Sequence, residues 1–421
     1  MAVHPESLLL SSVVQSGEHQ QLAKHGITAQ MFHVHQDEAA WMERYISKNG
    51  KAPSRQAIRQ VFPDFVLYRV DDTSHWCEEV RREHRRASLV DLVNNALDLV
   101  DAQDEDSALA ALETGLTSIR ASSQGVRNDF DVFDDWEQVY DTVSARVDKV
   151  RTSGWAGIPS GFKTLDDITG GFQPGWFGVI AARLGEGKTW TGVRMGFHAA
   201  ITGHRVSYFS LEQPKLQIAM RVHAFGSKVY SKEVFNPMSL NRGTGFDIQQ
   251  YRRFLQDMQK KRGSGNFKIN DTARGRVTPS TIAAVIELDQ PNIVFIDYLT
   301  LLGTTSDDWR GTAKLSADIQ SLAQRYDIPI VALSQVNRLG IGKEPPGAES
   351  LSQADAIGQD ADLVMTQKQM SRHVMKHRLA KFRHGQGGDT WYSKFSPGTG
   401  EYEEFSAGAA EAQIELDAEV D

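Results

Sequence analysis

Two hydrophobic rhythms divide the chain. Through the first 120 residues apolar side chains recur every three or four positions, as Trp41, Met42, Tyr45 and Ile46 do, the spacing of a helix with one buried face. This pattern predicts helices over 5–14, 38–48, 53–62, 74–99 and 106–119. No strand-like alternation of useful length interrupts them, so residues 1–120 read as a small all-helical domain. Residues 121–129 are polar and turn-rich, and they open a linker that runs to residue 155. Within it, 134–152 carries Trp136, Val139, Tyr140, Val143, Val147 and Val150 on one stripe. A helix of that length is marginal alone and needs a surface to dock on, either its own chain or a neighbouring subunit.

From about residue 156 the rhythm changes to short apolar runs alternating with helical stretches. Strand candidates are 177–182, 205–210, 293–297, 328–334, 362–366, 377–382 and 390–395. The first five are mostly continuous apolar runs, as expected of parallel strands buried on both faces. Helical patterns lie between most of them, including 213–225, 279–288 and 312–326. The last two strands, joined through Gly385-Gln-Gly-Gly388, look like an antiparallel hairpin. Residues 156–405 are therefore expected to form a doubly wound α/β nucleotide-binding core, its sheet mostly parallel, with a C-terminal β-hairpin.

Length and composition narrow the classes. A chain of 421 residues suggests two or three domains. No apolar stretch reaches the ~18 residues of a membrane span. The start, Met-Ala-Val-His-Pro-Glu, lacks the basic region of a signal peptide, so a cytoplasmic protein with no membrane partner is expected. Cys77 is the single cysteine, which excludes an internal disulfide and a cysteine-based zinc module. The net charge of −8 argues against a nucleic-acid partner until it is located. Residues 401–421 hold eight acids and no Lys or Arg; setting those eight aside from the 54 leaves 46 acids against 46 bases. The body is thus neutral, able to concentrate positive charge in a narrow channel. Residues 406–421 read as an acidic, disordered tail.

The sharpest chemistry follows the first strand of the core. Phe177-Gly-Val-Ile-Ala-Ala182 runs into Arg183-Leu-Gly-Glu-Gly-Lys-Thr189, and a helical pattern continues to about residue 202. That order is a phosphate-binding loop. Backbone N–H groups of a glycine turn and a helix N-terminus face an anion, with Ala182, Arg183, Gly185 and Gly187 shaping the loop. Lys188 reaches the outer phosphates and the Thr189 hydroxyl a Mg²⁺ ion. Ala182 stands where the motif has glycine, and the bland alternative is a glycine turn with a solvated lysine. Ile293-Val-Phe-Ile-Asp297 ends a strand in an acid, suited either to Mg²⁺ or to a helix cap. Glu212 follows the strand 205–210 as a general base or as first-turn acidity of the next helix. Gln335 ends another strand, as a γ-phosphate sensor or as an amide that satisfies a loop.

Together these residues resemble the RecA-type ATPase core and, within it, the DnaB-type replicative helicases. The resemblance rests on Gly157-Ile-Pro-Ser-Gly-Phe-Lys-Thr-Leu-Asp166, Thr169-Gly-Gly-Phe-Gln-Pro-Gly175, Ala182-Arg183, Phe209-Ser-Leu-Glu212, Ile296-Asp-Tyr-Leu299, Ala332-Leu-Ser-Gln-Val-Asn-Arg338 and Gln359-Asp-Ala-Asp362. Lys381-Phe-Arg383-His-Gly385 is similar to the family's Lys-x-Arg-x-Gly hairpin. It covers about 155–400 specifically and the helical region more faintly.

The resemblance implies ATP and Mg²⁺ as cofactors, with Lys188 and Thr189 on phosphate and Mg²⁺, Asp297 as the Mg²⁺ acid and Glu212 as general base. Gln335 is implied as sensor, and Lys381 and Arg383 as cations supplied to the neighbouring subunit's nucleotide; otherwise those two are a solvated hairpin face. It also implies a phage-encoded homohexamer moving 5′→3′ on single-stranded DNA and unwinding forked duplex, with a primase or loader on the N-terminal domain. One departure stands out: Leu351-Ser-Gln-Ala-Asp-Ala-Ile357 lacks the Arg and Gly of the family's DNA-facing loop, leaving Gln353, Ala354 and Asp355 as the DNA-contact candidates. The basic segments 260–262 and 274–276 are either channel-lining or ordinary solvated charge. Other classes remain in view. A recombination ATPase of the RecA/RadA kind is one, and a regulatory ATPase ring that binds protein is another.

Overall fold

Pro5 starts the first helix where a missing N–H costs nothing, and Gly17 ends it in a left-handed conformation at φ 76°. This α1 (Pro5–Ser16) buries Leu9, Leu10 and Val13. Around them pack α2 (Gln20–Lys24), α3 (Gln36–Asn49), α4 (Arg55–Val61) and α5 (Thr73–Asp101), followed by α6 (Glu105–Ser123). The Asp72 side chain caps α5 by accepting the His75 N–H at 3.0 Å. Buried Glu6 ties the cluster together, accepting the N–H groups of His33, Val34 and His35 at 2.8, 2.9 and 2.8 Å. Cys77 lies in this core, and burial pushes its thiol up to about 12, which keeps it an unreactive apolar filler.

The computed structural model describes residues 3–123, 130–271, 277–302, 309–336, 344–347 and 355–420, in two compact units, 1–138 and 139–421. The expected linker start is partly helix, since α6 runs to Ser123, and 124–129 lie outside the described residues. Helix α7 (Trp136–Ser153) spans the point where the units divide.

The second unit opens with α8 (Lys163–Thr169) and then alternates: β1 (Phe177–Ala182), α9 (Lys188–Ile201), β2 (Arg205–Ser210), α10 (Lys215–Tyr230), α11 (Pro237–Arg242), α12 (Ile248–Lys261), β3 (Asn266–Asp271), α13 (Pro279–Asp289), β4 (Ile293–Asp297), α14 (Trp309–Tyr326), β5 (Ile330–Gln335), α15 (Asp355–Asp360), β6 (Leu363–Ser371), β7 (Val374–Phe382), β8 (Thr390–Ser396), β9 (Glu401–Phe405) and α16 (Ala407–Val420). These strands form one sheet in the order β3-β2-β4-β5-β1-β6-β7-β8-β9, parallel through β6 and antiparallel beyond it. Strands β1 and β4 are buried throughout because both faces are covered. One face packs Val193, Ile218, Phe295 and Leu333 with α9 and α10, the other Ile282, Ile296, Ile319 and Ala332 with α13 and α14.

Five parallel strands stand where the apolar runs predict, but a sixth, β3, was not expected beside β2, and the β extension is larger. The expected hairpin is one part of four antiparallel strands, and β6 reaches Ser371 to pair with β7 through a turn at Arg372 and His373. The acidic tail corrects the sequence reading more sharply. Residues 407–420 form α16, not a disordered tail. It buries Ala410 and Asp417 against the sheet extension, and Asp417 accepts hydrogen bonds from Ser371 Oγ at 2.6 Å, the His373 N–H at 2.9 Å and Gln413 Nε2 at 2.9 Å. No helix among the described residues is long and apolar enough to cross a membrane.

Candidate functional site

Strand β1 carries the chain to the C-terminal edge of the sheet, where 183–187 turn into α9. Gly185 and Gly187 take φ values of 83° and 73°, a region that a Cβ disfavours. Gly187 is also tightly seated, since a Cβ there would lie 3.1 Å from Phe395 and 3.2 Å from Met375. No side chain among the described residues caps α9, so its first N–H groups remain available to an anion, with the helix dipole behind them.

Four of the expected residues converge on that turn. Register between β2 and β4 pairs Ser210 with Asp297, and the Leu211 N–H donates to the Asp297 carbonyl at 2.8 Å, which brings Glu212 alongside. Lys188 is buried, with Nζ 3.5 Å from Glu212 Oε2 and 3.8 Å from the centre of the Tyr298 ring. Asp297 is 1% exposed. Its Oδ2 accepts the Tyr208 hydroxyl at 2.9 Å, while its buried Oδ1 has no hydrogen-bond partner among the described residues. Burial pushes the Asp297 carboxyl up, against the pull of Lys188 and the Thr189 hydroxyl. An orphaned carboxylate oxygen beside a threonine hydroxyl suits a hard cation. Mg²⁺ fits here, because it binds through one or two protein oxygens and takes its other ligands from phosphate and water.

Gln335 ends β5 exposed, opposite Ala182 of β1 in register, and so stands at the same edge. Lys381 and Arg383 do not. Strand β7 runs back along β6, and the Arg383 N–H donates to the Asp362 carbonyl at 2.7 Å, beside the start of β1. The length of β1, about 16 Å at ~3.3 Å per residue, separates them from Lys188 of the same chain. There Lys381 Nζ donates to the carbonyls of Gly358 and Gln359 at 2.7 and 2.8 Å. Arg383 donates to those of Gln359 and Asp360 at 3.0 and 2.9 Å and pairs with Asp362 at 3.0 Å. Both cations therefore cap the C-terminus of α15, where the helix dipole favours them. Of the DNA-contact candidates, Gln353 and Ala354 lie outside the described residues, and Asp355 opens α15. The basic segment 274–276 also lies outside them, while Lys260 and Lys261 end α12, exposed.

Comparison with known proteins settles the family. Residues 157–404, more than half the chain, match the family model of the DnaB-like helicase C terminal domain. The chain belongs to that family. Among curated relatives, the replicative DNA helicase DnaB of Haemophilus influenzae is 29% identical over 278 residues, covering 63% of this chain and 56% of the relative. That of Helicobacter pylori is 26% identical over 346 residues, covering 79% and 68%. The chain spans little more than half the length of the Haemophilus relative. A solved DnaB-like replicative helicase, described with its interactions with primase, shares the fold at a TM-score of 0.68 and 18% identity, over 96% of this chain and 99% of that one.

Within this DnaB-like core two tyrosines complete the site and were missed in the sequence. Tyr208 hides inside the apolar run of β2, where its hydroxyl looks like one more buried aromatic. Tyr298 follows Asp297 directly, and that adjacency is the one signal that could have placed its ring against Lys188.

Proposed function

We propose that this chain is an ATP-driven DNA helicase that assembles as a ring, the homohexamer its family resemblance implies, and moves 5′→3′ along one strand to unwind duplex at a fork. The observation that carries the reading is the split site: Lys188, Thr189, Glu212 and Asp297 meet at one edge of the sheet, while Lys381 and Arg383 occupy the other. In a ring, one subunit's far edge completes its neighbour's nucleotide site. The exposed apolar stripe of α7, with Tyr140 65% and Val143 50% exposed, supports the same assembly by offering a surface to a neighbour.

On this reading the α9 N-terminus and Lys188 hold the phosphates, displacing the Lys188–Glu212 contact. Glu212, freed from Lys188, orients the attacking water and takes its proton. Asp297 and Thr189 would hold Mg²⁺, which when bound would supply positive charge to the phosphates. Gln335 senses the terminal phosphate from β5, and the neighbour's Arg383 and Lys381 stabilise charge in the transition state. The segment 351–357 contacts single-stranded DNA, and the N-terminal unit receives a primase or loader.

Subunit mixing tests the split site. Lys188→Ala and Arg383→Ala chains, each inactive alone, are expected to regain hydrolysis when combined, because mixed rings contain interfaces with an intact Lys188 and an intact neighbouring Arg383. Mixtures of the two variants that stay as inactive as either chain alone would contradict the shared site.

A further inference from the structure

Gln367 lies one residue beyond the last pairing of β6 with β1, fully buried beneath the nucleotide loop. Its Nε2 donates to the Glu186 carbonyl at 2.6 Å, and its Oε1 accepts the Thr191 hydroxyl at 2.7 Å. The Thr191 hydroxyl is in turn 2.7 Å from the hydroxyl of Tyr402 on β9. The polarity of this line follows from its end. A carbonyl only accepts, so the amide nitrogen faces Glu186 and Oε1 faces Thr191. Thr191 gives its one proton to Oε1, and the Tyr402 O–H therefore donates to Thr191. All three side chains are buried, and each link is satisfied, so the line is stiff.

The consequence lies in the peptide it grips. In a planar trans peptide the C=O and N–H point in opposite directions. Holding the Glu186 carbonyl towards β6 turns the Gly187 N–H away from β6, to the side of the loop that meets an anion. We infer that Gln367 is a positioning residue for nucleotide binding: through the line Tyr402–Thr191–Gln367, the antiparallel extension fixes the Glu186–Gly187 peptide so that the Gly187 N–H faces the phosphates. The inference rests on the nucleotide-binding reading of the loop above.

The test is equilibrium binding of MgATP and of ADP to the full chain, with kcat and KM for hydrolysis. Gln367→Met keeps the length and removes both hydrogen bonds; Thr191→Val cuts the line at its middle. Each is expected to weaken nucleotide binding and raise KM about 10-fold, the effect of one lost buried hydrogen bond, with kcat within about threefold. Thr191→Ser, which keeps the hydroxyl, restores binding. Tyr402→Phe, which keeps the ring, gives a smaller loss in the same direction and carries the test if Gln367→Met does not fold. Folded Gln367→Met and Thr191→Val chains that bind nucleotide as wild type does would overturn the assignment alone. Wild-type chain that binds no nucleotide would overturn the nucleotide reading and this inference with it.

Discussion

Asp297 shows how much one carboxyl is asked to do. Burial raises its affinity for a proton, Lys188 and Thr189 lower it, and Tyr208 occupies one of its two oxygens. Only Oδ1 is left for a cation, so on the proposed reading Asp297 would offer Mg²⁺ a single oxygen. Glu212 differs, being 40% exposed and bound only loosely, at 3.5 Å, to Lys188. A weakly held carboxylate at the mouth of the site suits a base that must exchange partners during turnover. Glu212→Gln is accordingly expected to lower hydrolysis by about 100-fold or more, the usual worth of a general base, with ATP binding retained. A variant that hydrolyses ATP within a few-fold of wild type, measured as steady-state phosphate release, would remove Glu212 from that role. These residues were legible because each stands at a strand end, where an acid or amide breaks an apolar run. Gln367 and Thr191 were not. A lone amide or hydroxyl inside a strand or helix carries no sequence mark until its partners, 181 and 176 residues away, are brought beside it.

At the level of elements, strands with both faces covered announced themselves, and edges did not. β3 is half-buried at one margin of the sheet and β9 pairs only with β8, so neither carries a strong apolar run. The β6–β7 turn is Arg372-His373, without the glycine or proline that marks most hairpins. Helix α16 is the instructive miss. Its composition looks disordered because acids were counted as solvated, yet one of them is the docking residue. Ala410 and Asp417 face the sheet while Glu411, Glu415 and Glu419 stay exposed. Burial pushes the other way, but hydrogen bonds from Ser371, His373 and Gln413 hold the Asp417 carboxyl well below its ordinary range. Asp417→Asn keeps the size and loses the charge on those bonds. It is expected to destabilise the docking of α16 by about 1–3 kcal/mol and to speed amide exchange across 407–420. Unchanged exchange there would show that apolar contacts alone hold the helix.

For the whole molecule, buried histidines set the response to acid. Burial lowers His198 and His223 to about 4 and His377 to about 3, so all three are neutral in the folded chain. Unfolded, each takes up a proton near pH 6.5. The unfolded chain thus binds more protons as pH falls below about 6.5, and stability declines from there towards pH 4. Asp166 opposes this over part of the range, because burial raises its carboxyl to about 6 and the folded chain then holds that proton more tightly. Raised carboxyls at Asp297, Glu186 and Asp318 act with Asp166, while lowered imidazoles at His84 and His204 and the lowered Asp417 carboxyl add to the loss. With the large shifts of His198, His223 and His377 on that side, the unfolding temperature is expected to drop on acidification. His377→Phe should flatten the decline in a pH series of thermal unfolding, and an unchanged slope would exclude His377 as a contributor.

On the proposed reading, hydrolysis at a site shared between subunits drives strand separation. A recombination ATPase or a regulatory ring would share the core without that output. The direct measurement is strand displacement by the wild-type chain with MgATP on forks bearing a free 5′ or a free 3′ tail on the loading strand. The expected result is displacement that needs the 5′ tail and is lost with Lys188→Ala. Hydrolysis without displacement of either fork would contradict it.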